Sequence, residues 1–395
     1  MIILGPLFPE EREQEIISAS KRGVSNAANN FQWNLIRGIQ ANTEEKLTVI
    51  NVLPVGTWPK NFKIFRLKDT DWSCGNIVGH EVGCWNIPLV KQFVRMRKTR
   101  AWLKKYSDES EILIFTAYLP SLWAVRKLSP EYKVTAVITD IPEFYDMHQA
   151  SAFRKFLRRI HCKIVYHFMK RVDRFVLLTE QMAIPLHVGS RPYLVMEGMC
   201  ADAAVEMTVP KAQKFSVLYT GRLNRRYGLE LLLQAVKEWQ DTDVELWLCG
   251  SGEMEEEIRS YAAQDPRIRF FGFLPHEETV RLQRQATVLV NPRTNQGEYT
   301  KYSFPSKTME YMASGRPVMM FRLDGMPEEY DAFLTYIPEE SAESVRNTMR
   351  SLKERDPAEL DAIGARGREF VLKNKNRNVQ MQRVLDFINE GRRNA

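Results

Sequence analysis

The chain is poor in the residues that staple or metallate a fold. Its cysteines number five, at Cys74, Cys84, Cys162, Cys200 and Cys249. The count is odd and no CxxC pair occurs. That argues against a disulfide framework and a zinc site, and fits a reducing cytosol. The six histidines show no HxxxH or HExxH spacing, so nothing points to a metal held by His. Long apolar runs are lacking too. The longest, residues 112–125, contains Pro120 and is too short to span a bilayer. The N-terminal MIILGPLFPEER has no leading positive charge, and reads as a first strand rather than a signal peptide.

What is present is globular. Apolar residues are 44% and charged residues 27% of 395, which excludes disorder, collagen and coiled coil as whole-chain readings. At about 150 residues per domain the length predicts two or three domains. The net charge of +7 is unevenly spread. Residues 1–200 carry 28 Lys and Arg against 19 Asp and Glu; residues 201–395 carry 28 against 30. A basic half joined to a near-neutral half suggests two domains with different partners.

Short β-rich runs alternate with helical patterns throughout. Strands are expected at 2–7, 47–53, 111–116, 133–139, 174–179 and 193–197, then at 215–220, 244–249, 268–273, 286–291, 317–321 and 333–337. Such alternation means parallel sheets with helices on both faces. Residues 200–214, which include Pro210, have no strand pattern and read as a linker. The fold class is therefore α/β, with two doubly wound Rossmann-like domains, 1–200 and 201–395, facing across a cleft lined by strand carboxyl ends. Residues 54–90 lack regular pattern and hold Trp58, Trp72 and Trp85, suited to sugar stacking or to local packing. The last helix, 377–393, could pack on either domain.

The most informative segment is KYSFPSKTMEYMASGRPVMM, residues 301–320. A strand ends in Asn291-Pro292-Arg293, a polar loop follows, and a helix starts near Ser303–Pro305. Free first-turn amides and the helix dipole make an anion site there, to which Ser306 and Lys307 belong. Glu310 lies three residues beyond Lys307, so both project from one side of the helix. A cation beside a carboxylate suits a nucleotide, with Lys307 for phosphate and Glu310 for the ribose diol. An ordinary surface Lys–Glu pair has the same spacing. Gly250 stands in a strand-to-helix turn, Gly250-Ser251-Gly252, a weak phosphate signal on its own.

Residues 304–318, FPSKTMEYMASGRPV, resemble the nucleotide-sugar motif of family-4 type glycosyltransferases with the GT-B fold. LYTGRLNRRYGLELLLQA (218–235) is similar to that family's glycine-arginine segment, LCGSGEMEEEI (248–258) to its glycine-rich turn, and RFFGFLPHEE (269–278) to its base-reading segment. The four occur in family order. The resemblance assigns Glu310 to the ribose hydroxyls, Gly221 and Arg222 to the diphosphate, and the backbone of Phe273 and Leu274 to the base. Tyr302 stands where the family has its first Glu, with Ser303 and Phe304 beside it, and Glu298 in the same loop is the alternative carboxylate. Tyr227 stands where the family has Lys, and Arg225, Arg226 and Lys307 offer charge instead. The YSFPSK-type loop resembles bacterial polysaccharide-assembly members. The resemblance implies retention of anomeric configuration through a front-face reaction. No DxD follows a strand, so no metal or other cofactor is expected beyond the donor substrate.

In the first half, Asp140 ends the strand VTAVITD and is expected to face the cleft, as a sugar-contacting or a capping group; His148 is a weaker candidate. Asn26, Asn29 and Asn30 are caps or substrate contacts. Residues 91–105 carry seven basic and no acidic residues, and 153–174 carry eight and one. Both interleave apolar residues at helical spacing, which reads as contact with an anionic membrane surface or as solvated helix faces. Nucleic acid is not expected, since no nucleic-acid motif accompanies the charge. The expected protein is a cytoplasmic enzyme, peripheral on the inner face of the membrane. It moves a sugar from a nucleoside-diphosphate donor, UDP in the first instance, to a glycan or lipid-linked acceptor. A sugar-nucleotide epimerase, or a non-catalytic sugar-nucleotide or membrane-binding protein, is the alternative.

Overall fold

The structure is a computed structural model that describes residues 1–21, 26–106, 108–144, 152–200 and 209–393. The chain divides into two compact units, Met1–Glu197 with Arg377–Ala395, and Gly198–Asn376. His148 and most of the expected linker, 201–208, lie outside the described residues.

The first unit holds β1 (Ile2–Gly5), β2 (Leu47–Asn51), β3 (Thr70–Cys74), β4 (Ile77–Glu81), β5 (Glu111–Phe115), β6 (Lys133–Ile138), β7 (Arg174–Leu177) and β8 (Tyr193–Val195). Their order in the sheet is β3-β4-β2-β1-β5-β6-β7-β8, parallel except for β3. The second unit holds β9 (Phe215–Arg222), β10 (Val244–Ser251), β11 (Ile268–Gly272), β12 (Val288–Asn291), β13 (Val318–Phe321) and β14 (Thr335–Ile337). They form a parallel sheet ordered β11-β10-β9-β12-β13-β14. The α/β alternation is as expected. Strands such as β1 and β5 are buried at every position, which is why they read as unbroken apolar runs.

The hairpin β3–β4 departs from the sequence reading, which saw residues 54–90 as patternless. Gly75, at φ 60°, and Asn76 make a tight turn. Strand β3, TDWSC, is an exposed edge strand and so lacks an apolar face. Trp72 packs over Gly79 directly opposite, and its Nε1 donates to Asn51 Oδ1 at 3.0 Å. Trp58 and Trp85 remain substantially exposed, and Trp58 meets Phe65 edge-on at 5.1 Å.

The final helix, Arg377–Arg393, packs on the helix Asn26–Asn42, close enough that Gly38 faces Met381 and the Arg377 carbonyl. It is also held by Arg174, which donates to Ile388 O and pairs with Glu111 at 3.1 Å. Both charges are almost fully buried. Removing one partner of such a pair costs about 3–5 kcal/mol, because the other charge is stranded.

The helix Val90–Leu103 corrects part of the membrane reading. Its buried positions are Lys91, Arg95, Thr99 and Leu103. Lys91 Nζ donates to Val55 O, and Arg95 donates to Leu53 O at 2.7 Å and Tyr118 Oη at 3.0 Å. Two of the seven cations in 91–105 thus serve carbonyls in the loop after β2 and do not face outward. Burial, with Arg95 nearby, pushes Lys91 down to about 8. No helix among the described residues is long and apolar enough to cross a membrane.

Candidate functional site

In the second unit the strand order reverses between β9 and β12. Open α/β sheets bind ligands outside the strand carboxyl ends at such a point. Strand β9 ends in Gly221-Arg222 beside Gly250-Ser251 of β10. Gly221 and Gly250 have φ of 144° and 143°, in a region that side-chain-bearing residues avoid. A Cβ on Gly250 would fall 1.7 Å from Gly221 O. The two glycines let the strand ends close into a bare backbone floor.

The helix Ser306–Ala313 stands over that floor. Tyr311 anchors it: its buried hydroxyl donates to Thr220 O and accepts from Thr220 N, both at 2.9 Å. Asn291 at the end of β12 donates to Thr308 Oγ1 at 3.3 Å. Lys307 lies against Gly221 and Glu310 beside Gln283, whose Nε2 donates to Glu310 Oε1 at 2.6 Å and to Thr220 Oγ1 at 3.1 Å. The amides of Ser306 and Lys307 have no partner among the described residues. Neither do the side chains of Arg222 and Lys307 pair with a carboxylate there. Two uncompensated cations and two free amides at one strand end suit an anion.

The neighbouring arginines differ. Arg225 is spent on Glu230 and Glu257, so it does not supply the charge the sequence reading gave it. Arg226 lies over the Tyr227 ring at 5.2 Å. Arg293, just past β12, was overlooked. Its Nη2 donates to Ser303 Oγ at 2.8 Å, and it lies 5.2 Å over the Tyr299 ring. Burial, aided by Arg226, pulls it below the usual arginine value, and its Nε has no partner among the described residues. Its place directly after a strand at the switch point was the signal available.

Glu298 and Tyr302 stand at the two ends of the turn Glu298–Tyr302; burial first, then the Glu298 carboxylate, raises the Tyr302 phenol. Phe304 is buried against Tyr330, ring centroids 5.3 Å apart, so its side chain is core. Phe273 is exposed, and the Leu274 carbonyl accepts from Thr279 at 3.4 Å. Cys249 beneath them has its thiol raised by burial.

Asp140 belongs to the first unit, after β6. Thr139 Oγ1 donates to its Oδ2 at 2.9 Å. The side chain meets solvent, yet crowding by surrounding protein raises its carboxyl above the usual range. Asn29 is no cap: its Oδ1 accepts from Phe8 N at 3.0 Å and is buried.

Residues 214–354, which carry this anion site, match the family described as "Glycosyl transferases group 1". The matched stretch lies within the second unit. The chain is 32% identical over 175 residues to a D-inositol 3-phosphate glycosyltransferase of Corynebacterium efficiens, covering 42% of this chain and 38% of that protein. It is 25% identical over 184 residues to the putative colanic acid biosynthesis glycosyltransferase WcaL of Escherichia coli, covering 45% of each. The chain thus spans less than half the length of these curated relatives. Among solved structures, Anabaena Alr3699/HepE in complex with UDP superposes with a TM-score of 0.65 at 12% identity, over 99% of this chain and 100% of that one. Identity that low speaks for the fold alone, and the fold is GT-B.

Proposed function

We propose that the protein is a retaining glycosyltransferase that moves a sugar from a UDP-sugar to a glycan or lipid-linked acceptor in cell-surface polysaccharide synthesis. The observation that carries the reading is that Arg222, at the end of the Gly221–Gly250 floor, and Lys307, against Gly221, have no carboxylate partner among the described residues, beside helix amides that are also free there. The group 1 match supports transfer, WcaL is named for colanic acid synthesis, and HepE holds UDP.

The chemistry follows from charge. The sugar C1–O bond to the diphosphate breaks and a C1–O bond to the acceptor forms on the same face. A donor phosphate oxygen takes the acceptor's proton. Negative charge grows on the diphosphate, and preorganised cations and amides stabilise it. Arg222, Lys307, Arg226 and the Gly250 turn meet that charge in place of a metal ion. Glu310, oriented by Gln283, accepts from the ribose hydroxyls, while the backbone at Phe273 and Leu274 reads the base. The Glu298–Tyr302 pair, with Ser303 and Ser306, borders the donor sugar. Asp140 serves as a sugar-contacting group of the first unit. The enzyme works in the cytoplasm, peripheral on the inner face of the membrane, with an anionic lipid surface as its partner.

The test is product analysis by NMR of UDP-sugars incubated with lipid-linked glycans and EDTA. Free UDP and an α-linked product from an α-linked donor are expected, and neither in Glu310→Ala. A changed sugar still attached to UDP would make the protein an epimerase. UDP binding without turnover of any donor would leave it a binding protein.

A further inference from the structure

The helix Ala152–Met169 has a face that the fold leaves uncovered. Its sequence, AFRKFLRRIHCKIVYHFM, has five Lys or Arg and no Asp or Glu. Cys162, Val165 and Met169 are buried against the first unit. Phe153, Phe156, Leu157, Ile160 and Ile164 are exposed by 68, 57, 48, 41 and 40%. At about 3.6 residues per turn these five fall within roughly 100° of arc, on the side opposite the buried three. Arg154 flanks the stripe on one side, Arg159 and Lys163 on the other, all exposed.

Single exposed apolar residues need no explanation, but a continuous stripe does. A protein groove could cover the apolar stripe alone. The basic flanks, with no acidic residue in the helix, ask for an anionic border around an apolar interior. A bilayer with anionic headgroups has that chemistry.

We propose that Ala152–Met169 is the membrane-docking element. It lies in the plane of the interface, with the five apolar side chains among the acyl chains and Arg154, Arg159 and Lys163 at headgroup phosphates. This deepens the membrane part of the proposed function and rests on it. The helix Val90–Leu103 does not share the role, because its large exposed apolar side chains, Val90 and Phe93, are confined to its first turn. The docking helix also bears on the site. Arg158 donates to Pro142 O, and the Tyr166 hydroxyl donates to Glu143 Oε2. Both acceptors lie in the turn directly after Asp140, so the docked helix holds the chain beside that carboxylate.

The experiment is co-sedimentation of the full chain with vesicles of equal parts phosphatidylcholine and phosphatidylglycerol, against phosphatidylcholine alone. The wild type pellets with the anionic vesicles, less as salt rises. The variant Phe153→Ser/Phe156→Ser/Leu157→Ser partitions about tenfold more weakly or worse, while Phe93→Ser matches wild type. These positions are exposed, and an unchanged melting curve confirms folding. If the triple variant pellets as wild type does, this helix is not the docking element, though the membrane reading stands. If the wild type does not pellet, both fall, and calorimetry with UDP still reports on the donor site separately. A wild-type dimer by light scattering that the triple variant turns to monomer would show a second copy covering the stripe, and would overturn the proposal.

Discussion

Lys307 lies along the backbone of Gly221, so closely that a Cβ at position 221 would fall 2.5 Å from Lys307 Cε and 3.3 Å from Nζ. The cation is thus set by the absence of a side chain on another element. Gly221→Ala is expected to displace Lys307 and strain the strand end, since φ is 144° there. UDP affinity by calorimetry should drop about tenfold or more. An unchanged dissociation constant would reject the placement of the diphosphate on this floor.

The arginines of the glycine-arginine segment should separate by function. Arg222→Ala and Lys307→Ala each weaken UDP binding by about tenfold or more, because each removes a charge-assisted hydrogen bond to phosphate. Arg225→Ala leaves UDP affinity in place, since that guanidinium is already paired with Glu230 and Glu257. Its loss changes stability by about 1 kcal/mol or less, as for other exposed pairs. Equal losses of affinity in all three variants would contradict the division.

Glu310 and the ribose can be tested by a cycle over protein and ligand. Wild type should prefer UDP to its 2′,3′-dideoxy analogue, and Glu310→Ala should bind the two alike. Gln283→Leu should reduce the preference without abolishing it, because Gln283 only orients the carboxylate, at 2.6 Å. A preference that survives in Glu310→Ala would assign the diol to another group.

Lys91 makes a pH prediction. Burial holds it at about 8 in the folded chain, below the ordinary lysine value of 10.5. Between those values the unfolded chain binds the extra proton, so folded stability rises with pH across that window. Relative to Lys91→Met, wild type should gain on the order of 3 kcal/mol between pH 8 and 10.5, read by urea denaturation. A difference that stays flat over the window would place the ammonium in contact with water.

Much of this was legible in the sequence because burial on both faces leaves a simple trace. Parallel strands such as β5 and β6 are largely apolar whatever they pack against. The edge strand β3 left no such trace, since an exposed strand is free to be polar. Within the candidate site, Lys307 and Glu310 were readable from helical spacing and Gly250 from its strand-to-helix turn, while Gly221 came from the family resemblance. Arg293 went unnoticed because its partners, Ser303 and Tyr299, come from a separate loop.

The sequence by itself determined the alternation of strands and helices, the uneven charge, and a helix start near 303–305 with free first-turn amides. These depend on residues close along the chain. Only the tertiary structure decided which cations are spent and which are left. Arg225 and Arg222 are three residues apart, yet one reaches Glu257 across a turn and the other does not. Lys91 and Arg95 sit in a basic run that looks like a surface, but helix rotation turns them to the carbonyls of Leu53 and Val55. The run at 153–164 faces the other way, with its phenylalanines exposed. Composition fixes how much charge a segment carries. Where that charge points depends on which face the rest of the chain buries, and that is a property of the packed fold.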